Sequence, residues 1–215
     1  MNHEVTDTTM SRVESVLVTL FLCVACPLTL FVIAWWTSAS LSIPETAIPG
    51  WALAGLALGI VVVMVKRKRW VGGFYTVRTS LVIPVYLLWS GVAIMMFMGL
   101  PVGIAALGLL AGFYIGRKGH HARKEASLFE TDARNVGLFT AAVVGLLSLA
   151  MGLLAVQEQH SMQAILATVG MSRLAATAAG RIMLVVAAVP VLAAIQYWLT
   201  QKVAQWGFRL GSGRT

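Results

Sequence analysis

PGWALAGLALGIVVVMVKRKRW, Pro49 to Trp70, decides the fold. From Pro49 to Val65 the stretch carries no charge, and Lys66, Arg67, Lys68 and Arg69 follow without a break. A helix rises about 1.5 Å per residue, so roughly 20 apolar residues cross a hydrocarbon core about 30 Å thick. A near-continuous apolar run that ends abruptly in four cations reads as a membrane span meeting the headgroup layer.

The rest of the chain repeats this pattern. Of its 215 residues, 59% are hydrophobic and only 11% charged, against about 25% charged in a typical soluble domain. Too few charges remain to cover a water-facing surface. Apolar runs predict spans at Val16–Trp36, Pro49–Val65, Thr79–Met98, Leu100–Gly116, Val136–Val156 and Ile182–Thr200. The expected fold is all-α, a polytopic bundle of six transmembrane helices. It divides into an N-terminal tail (1–14), a transmembrane domain (15–201) and a basic C-terminal tail (202–215). Val16–Trp36 exceeds the roughly 7–15 residues of a signal-peptide core, so it reads as a span. Loops and tails leave no room for a soluble catalytic domain.

Helix starts carry their own marks. Ser11 with Glu14, Ser42 with Glu45 and Ser127 with Glu130 fit the capping box, in which serine and glutamate satisfy the first amides reciprocally. Helix five is therefore expected to start at Ser127. Met98-Gly99-Leu100-Pro101 predicts a tight turn joining spans three and four, with proline suited to a helix start. Gln157–Arg181 is expected along the opposite face. There Met162, Ile165, Leu166 and Val169 form one apolar side. The segment Gln201–Leu210 should continue helix six.

Charge sets direction. Arg12, Lys66, Arg67, Lys68, Arg69, Arg78, Arg117, Lys118, Arg123, Lys124, Arg134, Lys202, Arg209 and Arg214 fall on one side of the spans; Arg173 and Arg181 fall on the other. The positive-inside rule places both termini in the cytoplasm of a plasma or bacterial inner membrane. The formal charge of +8 needs no nucleic acid. The expected partners are the bilayer and anionic headgroups on the cytoplasmic face, met by Lys66, Arg67, Lys68, Arg69, Arg117 and Lys118. A partner subunit or second copy is a further possibility.

Lipid is as apolar as leucine, so small residues that admit close backbone approach hold membrane helices together. Gly108, Gly112 and Gly116 form such a stripe on span four. Ala133, Gly137, Ala141 and Gly145 form one on helix five. These stripes predict that the two helices meet. Pro27, Pro84 and Pro190 interrupt spans one, three and six, and each removes a backbone hydrogen bond.

Candidate chemistry is sparse. No acidic residue lies within a span, which speaks against the proton relays and hydrolases that place ionisable groups at depth. No HExxH, GxSxG or phosphate-binding loop is found, so the chain reads away from an enzyme, and no cofactor is expected. Tyr86, Ser90, Tyr114, Gln196 and Tyr197 are mild polar residues that either bond helix to helix or line a solute cavity. Cys23 and Cys26 share a helix face at i, i+3 and form the candidate site for a soft metal or thiol chemistry. Their setting among leucine and valine suits apolar filler equally. This pair resembles one feature of mercuric-ion transport proteins, and nothing else in the chain matches that family. In size, span count and orientation the chain is similar to the substrate-binding membrane components of energy-coupling vitamin transporters, without sharing their motifs. The expected function is binding or passage of a small solute, alone or within a transporter. The alternatives are a non-transporting membrane scaffold or assembly factor, and a soft-metal or thiol protein using Cys23 and Cys26.

Overall fold

A computed structural model describes residues 10–41, 43–96, 102–157 and 177–210. Among them every regular element is helical. The helices are α1 (Arg12–Ser40), α2 (Ile48–Gly72), α3 (Thr79–Met96), α4 (Val102–His121), α5 (Ala126–Gln157) and α6 (Ala178–Arg209), with a 3-10 turn at Phe74–Thr76. Five of them, α1, α2, α3, α5 and α6, are long and apolar enough to cross a membrane. The chain is a multi-pass helical membrane protein. Helix α4 lacks such a window because its described part ends in Arg117, Lys118, His120 and His121. Large apolar side chains face outward on α4, where Leu110 is 52% exposed, as on the other helices. Met64, Leu146 and Val186 are 76%, 68% and 62% exposed, an arrangement costly in water and natural in lipid.

The chain divides into two compact units, residues 1–77 and 78–215. The first is an antiparallel hairpin of α1 and α2. Ser11 caps α1, its hydroxyl accepting from the Glu14 amide at 3.2 Å. The Glu14 carboxylate accepts from the Tyr75 hydroxyl at 2.8 Å, which ties the turn after α2 back to the start of α1. Phe74 adds an edge-to-face contact on Phe21. At mid-hairpin a Cβ on Gly59 would overlap the Pro27 backbone. Two main chains meet there at a distance only glycine permits. Helix α2 starts at Ile48, with Ala47 as N-cap and Pro49 in its first turn, later than Ser42–Glu45 suggested. Ser42 itself lies outside the described residues, as do the Met98–Pro101 turn and the stretch with Met162, Ile165, Leu166 and Val169.

The second unit holds α3 to α6, with α6 packed on both α4 and α5. Contacts advance together along α4 and α6: Gly108 faces Gln196, Gly112 faces Thr200, Gly116 faces Ala204. These helices run parallel. Along α5 they run backward, from Gly137 on Tyr197 through Gly145 on Ala193 to Gly152 on Val185, so α5 is antiparallel to α6. Lys118 of α4 reaches Thr79 of α3 at 3.4 Å. Ile104 packs with Ala93, which makes that pair antiparallel too. One core cluster joins Ala93, Ile104 and Val144. A second joins Ile115, Phe129, Ala133 and Ala204, flanked by Tyr114, Val136 and Phe208.

The expectation that the glycine stripes of α4 and α5 meet each other is corrected here. Both stripes face α6, which inserts between them, and α4 and α5 share a smaller contact. Helical spacing identifies the face that approaches a neighbour closely, but it is silent on which neighbour. Helix α5 starts at Ala126, one residue before Ser127. Helix α6 runs unbroken through Lys202 to Arg209, so the basic segment assigned to the tail is largely helical.

Candidate functional site: a buried polar junction

Three helices bring polar groups together within the apolar part of the second unit. Gly108 comes from α4, Thr140 from α5, and Gln196 and Thr200 from successive turns of α6. Thr140 and Thr200 are fully buried and Gln196 is 2% exposed. The Gln196 amide donates to Thr200 Oγ1 at 3.0 Å, and the two threonine hydroxyls lie 3.0 Å apart. Thr200 Oγ1 also lies 3.4 Å from the Gly108 carbonyl oxygen, and Thr140 Oγ1 lies 3.1 Å from that of Gly137.

Each hydroxyl has one proton to give. Two proton arrangements therefore serve the junction. In one, Thr140 donates to Gly137 and Thr200 donates to Thr140. In the other, Thr140 donates to Thr200 and Thr200 donates to Gly108. Either way an α5 hydroxyl bonds to α6 where water cannot compete. Room for the Gln196 amide exists because Gly108 has no side chain, since a Cβ there would overlap the amide nitrogen. A Cβ on Gly112 would stand 2.5 Å from the Thr200 carbonyl oxygen, below any ordinary contact.

The other residues expected to line a cavity are distributed elsewhere. Ser90 is fully buried, and its hydroxyl donates to the Tyr86 carbonyl at 2.8 Å. The Tyr86 ring packs on Phe139 with centroids 5.4 Å apart. Its hydroxyl is buried without a hydrogen-bond partner among the described residues. Tyr197 lies against Gly137, and its hydroxyl accepts from Gln201 at 2.7 Å. Tyr114 sits near the charged end of α4, with the Lys118 ammonium 5.7 Å from its ring centroid. Gln196 alone of the five belongs to the junction.

The charged end of this unit is closed by aromatic packing. Phe129 and Phe208 stack at 4.2 Å, and His120 meets Phe208 edge-on. Lys124 pairs with Asp132. Burial, and next the repulsion of Lys124, hold the Lys118 ammonium below the usual lysine value, while Asp132 opposes them. Arg117 stands beside Lys118, half-buried. In the first unit Lys66, Arg67, Lys68 and Arg69 are all exposed. Cys23 is exposed and Cys26 half-buried on α1. Among the described residues no group of three or more His, Cys, Asp and Glu side chains could hold a metal ion.

The roles of Thr140 and Thr200 went unread in the sequence, and Arg181, expected only as a charge on the opposite face, is 4% exposed in the first turn of α6. Threonine in a membrane helix commonly bonds a carbonyl of its own preceding turn, as Thr19 and Thr29 do here, so its identity signals nothing by itself. The available signal was spacing: Gln196 and Thr200 are one turn apart, on the side of α6 that the glycine stripes approach. Comparison of the chain with protein-family models, curated proteins and solved structures finds no match.

Proposed function

We propose that the chain is a non-transporting membrane scaffold whose second unit is a fixed assembly of helices. One observation carries this reading: the polar groups of the α4–α5–α6 junction are engaged with one another and closed to solvent. A solute path needs polar groups facing a lumen, whereas this junction joins helices. The bundle crosses the membrane six times, with α4 as the sixth crossing. The parallel course of α4 and α6 and the reversed course of α3 and α5 support that count. Both termini are cytoplasmic, in keeping with basic residues gathered at one end of each unit. Proteoliposomes test the scaffold directly. Osmotic swelling in glycerol or urea should proceed at the rate of empty vesicles, and accelerated, saturable entry would overturn the reading.

A second reading, binding or passage of a small solute alone or within a transporter, draws on Tyr86. A hydroxyl buried without a partner lowers stability by about 1–3 kcal/mol, a cost that a hydrogen-bonding solute would remove. Pro84 lies in the same helix, two residues away. On this reading Tyr86→Phe abolishes solute binding and leaves the thermal midpoint unchanged or raised.

A further inference from the structure

Helix α2 does not end with its apolar run. It continues to Gly72, so Lys66, Arg67, Lys68 and Arg69 are helical. Successive helical residues are turned by about 100°, and four in a row spread over roughly 300° of the circumference. All four are exposed, and no hydrogen bond or ion pair engages their side chains among the described residues. The result is a collar of positive charge around the helix, unlike the one-sided stripe of an amphipathic surface.

The hairpin fixes the level of this collar. Gly59 lies on Pro27, and counting outward along antiparallel helices brings Lys66–Arg69 beside Leu17–Leu20 of α1. There Leu17 and Leu20 are 59% and 58% exposed, with Val16 at 57%. Exposed aliphatic side chains and unpaired cations therefore share one level of the hairpin. Long basic side chains reach outward from such a level to the phosphates while their stems stay in apolar surroundings. A folded protein approaching from one side would meet about half of the collar and leave the remaining cations unanswered. Anionic headgroups ranged along the sides of α2 that α1 leaves open meet all four exposed side chains.

We propose that the Lys66–Arg69 collar binds the headgroups of anionic phospholipids ranged around α2 and so sets the depth of the α1–α2 hairpin in the cytoplasmic leaflet. This rests on the membrane embedding and not on whether the second unit passes a solute. Electrostatic attraction to an anionic leaflet accumulates residue by residue, so a collar distributes it evenly.

The test uses the full chain in a neutral detergent, titrated with phosphatidylglycerol or phosphatidylcholine and read by native mass spectrometry and by thermal midpoint. Phosphatidylglycerol should bind and raise the midpoint, whereas phosphatidylcholine should not. Each single change, K66Q, R67Q, K68Q or R69Q, should weaken phosphatidylglycerol binding by a similar factor of about five. The quadruple variant should lose most of its preference for phosphatidylglycerol, keeping only what Arg117, Lys118 and the other basic residues supply, and should keep the midpoint of the wild type in neutral detergent. If the quadruple variant does not fold, the four single variants decide. Loss concentrated in one or two positions would overturn the proposal in favour of a one-sided site. Undiminished binding by the variants would overturn it as well, as would an equal rise with glycerol phosphate, which would indicate a simple anion site.

Discussion

Among the described threonines, Thr200 alone joins groups from three helices. It bonds Gln196 on its own helix and Thr140 on α5, and it faces the Gly108 carbonyl of α4. Hydrogen bonds between membrane helices average about 0.6 kcal/mol and reach about 1.7 kcal/mol. Thr200→Val keeps the shape and removes these bonds, so it should lower stability by about 1 kcal/mol. A double-mutant cycle with Thr140→Val should return a coupling of about 0.6 kcal/mol or more, and strict additivity would dissolve the junction. Gly112→Leu should cost more, about 1–3 kcal/mol for overpacking against the Thr200 backbone, read as a fall in thermal midpoint in detergent. At Lys118 the lowered pKa means that the folded state disfavours its charge. That penalty is complete at neutral pH and lifts as pH rises toward the usual lysine value. The stability of wild type relative to Lys118→Met should therefore increase with pH over the alkaline range. A flat difference would deny the penalty.

At the scale of helices and turns, the connection from α4 to α5 carries a local strain. Arg123 sits at φ 46°, in the left-handed region that favours glycine. The Arg123 amide donates to the His120 carbonyl, and the Lys124 amide to that of Gly119, closing the helix end. Arg123→Gly should stabilise the protein by about 0.5–1 kcal/mol, and a lowered midpoint would count against this account of the turn. The apolar runs marked α1, α2, α3, α5 and α6 because length and hydropathy are local properties, and Ser11 announced its own cap. The glycine stripes likewise named the close-packed faces of α4 and α5. What covers those faces is decided by a helix far along the chain, and no spacing within α4 reports on α6. The Phe129–Phe208 stack and the Tyr75–Glu14 bond were illegible for the same reason.

For the whole molecule, charge is the organising quantity. In the second unit the ends near Thr79, Lys118, Lys124, Lys202 and Arg209 carry its basic residues, and Arg181 at the start of α6 is the described exception. In the first unit the collar and Arg12 occupy the end closed by Glu14 and Tyr75. We propose that these ends lie in the cytoplasm, as the positive-inside rule has it for each unit taken by itself, with an even number of crossings. Reporters of opposite compartments, one active only inside the cell and one only outside, fused in turn at residues 1 and 215, test that most directly. The account predicts that the inside reporter is active at both ends. Activity of the two reporters at different ends would contradict it.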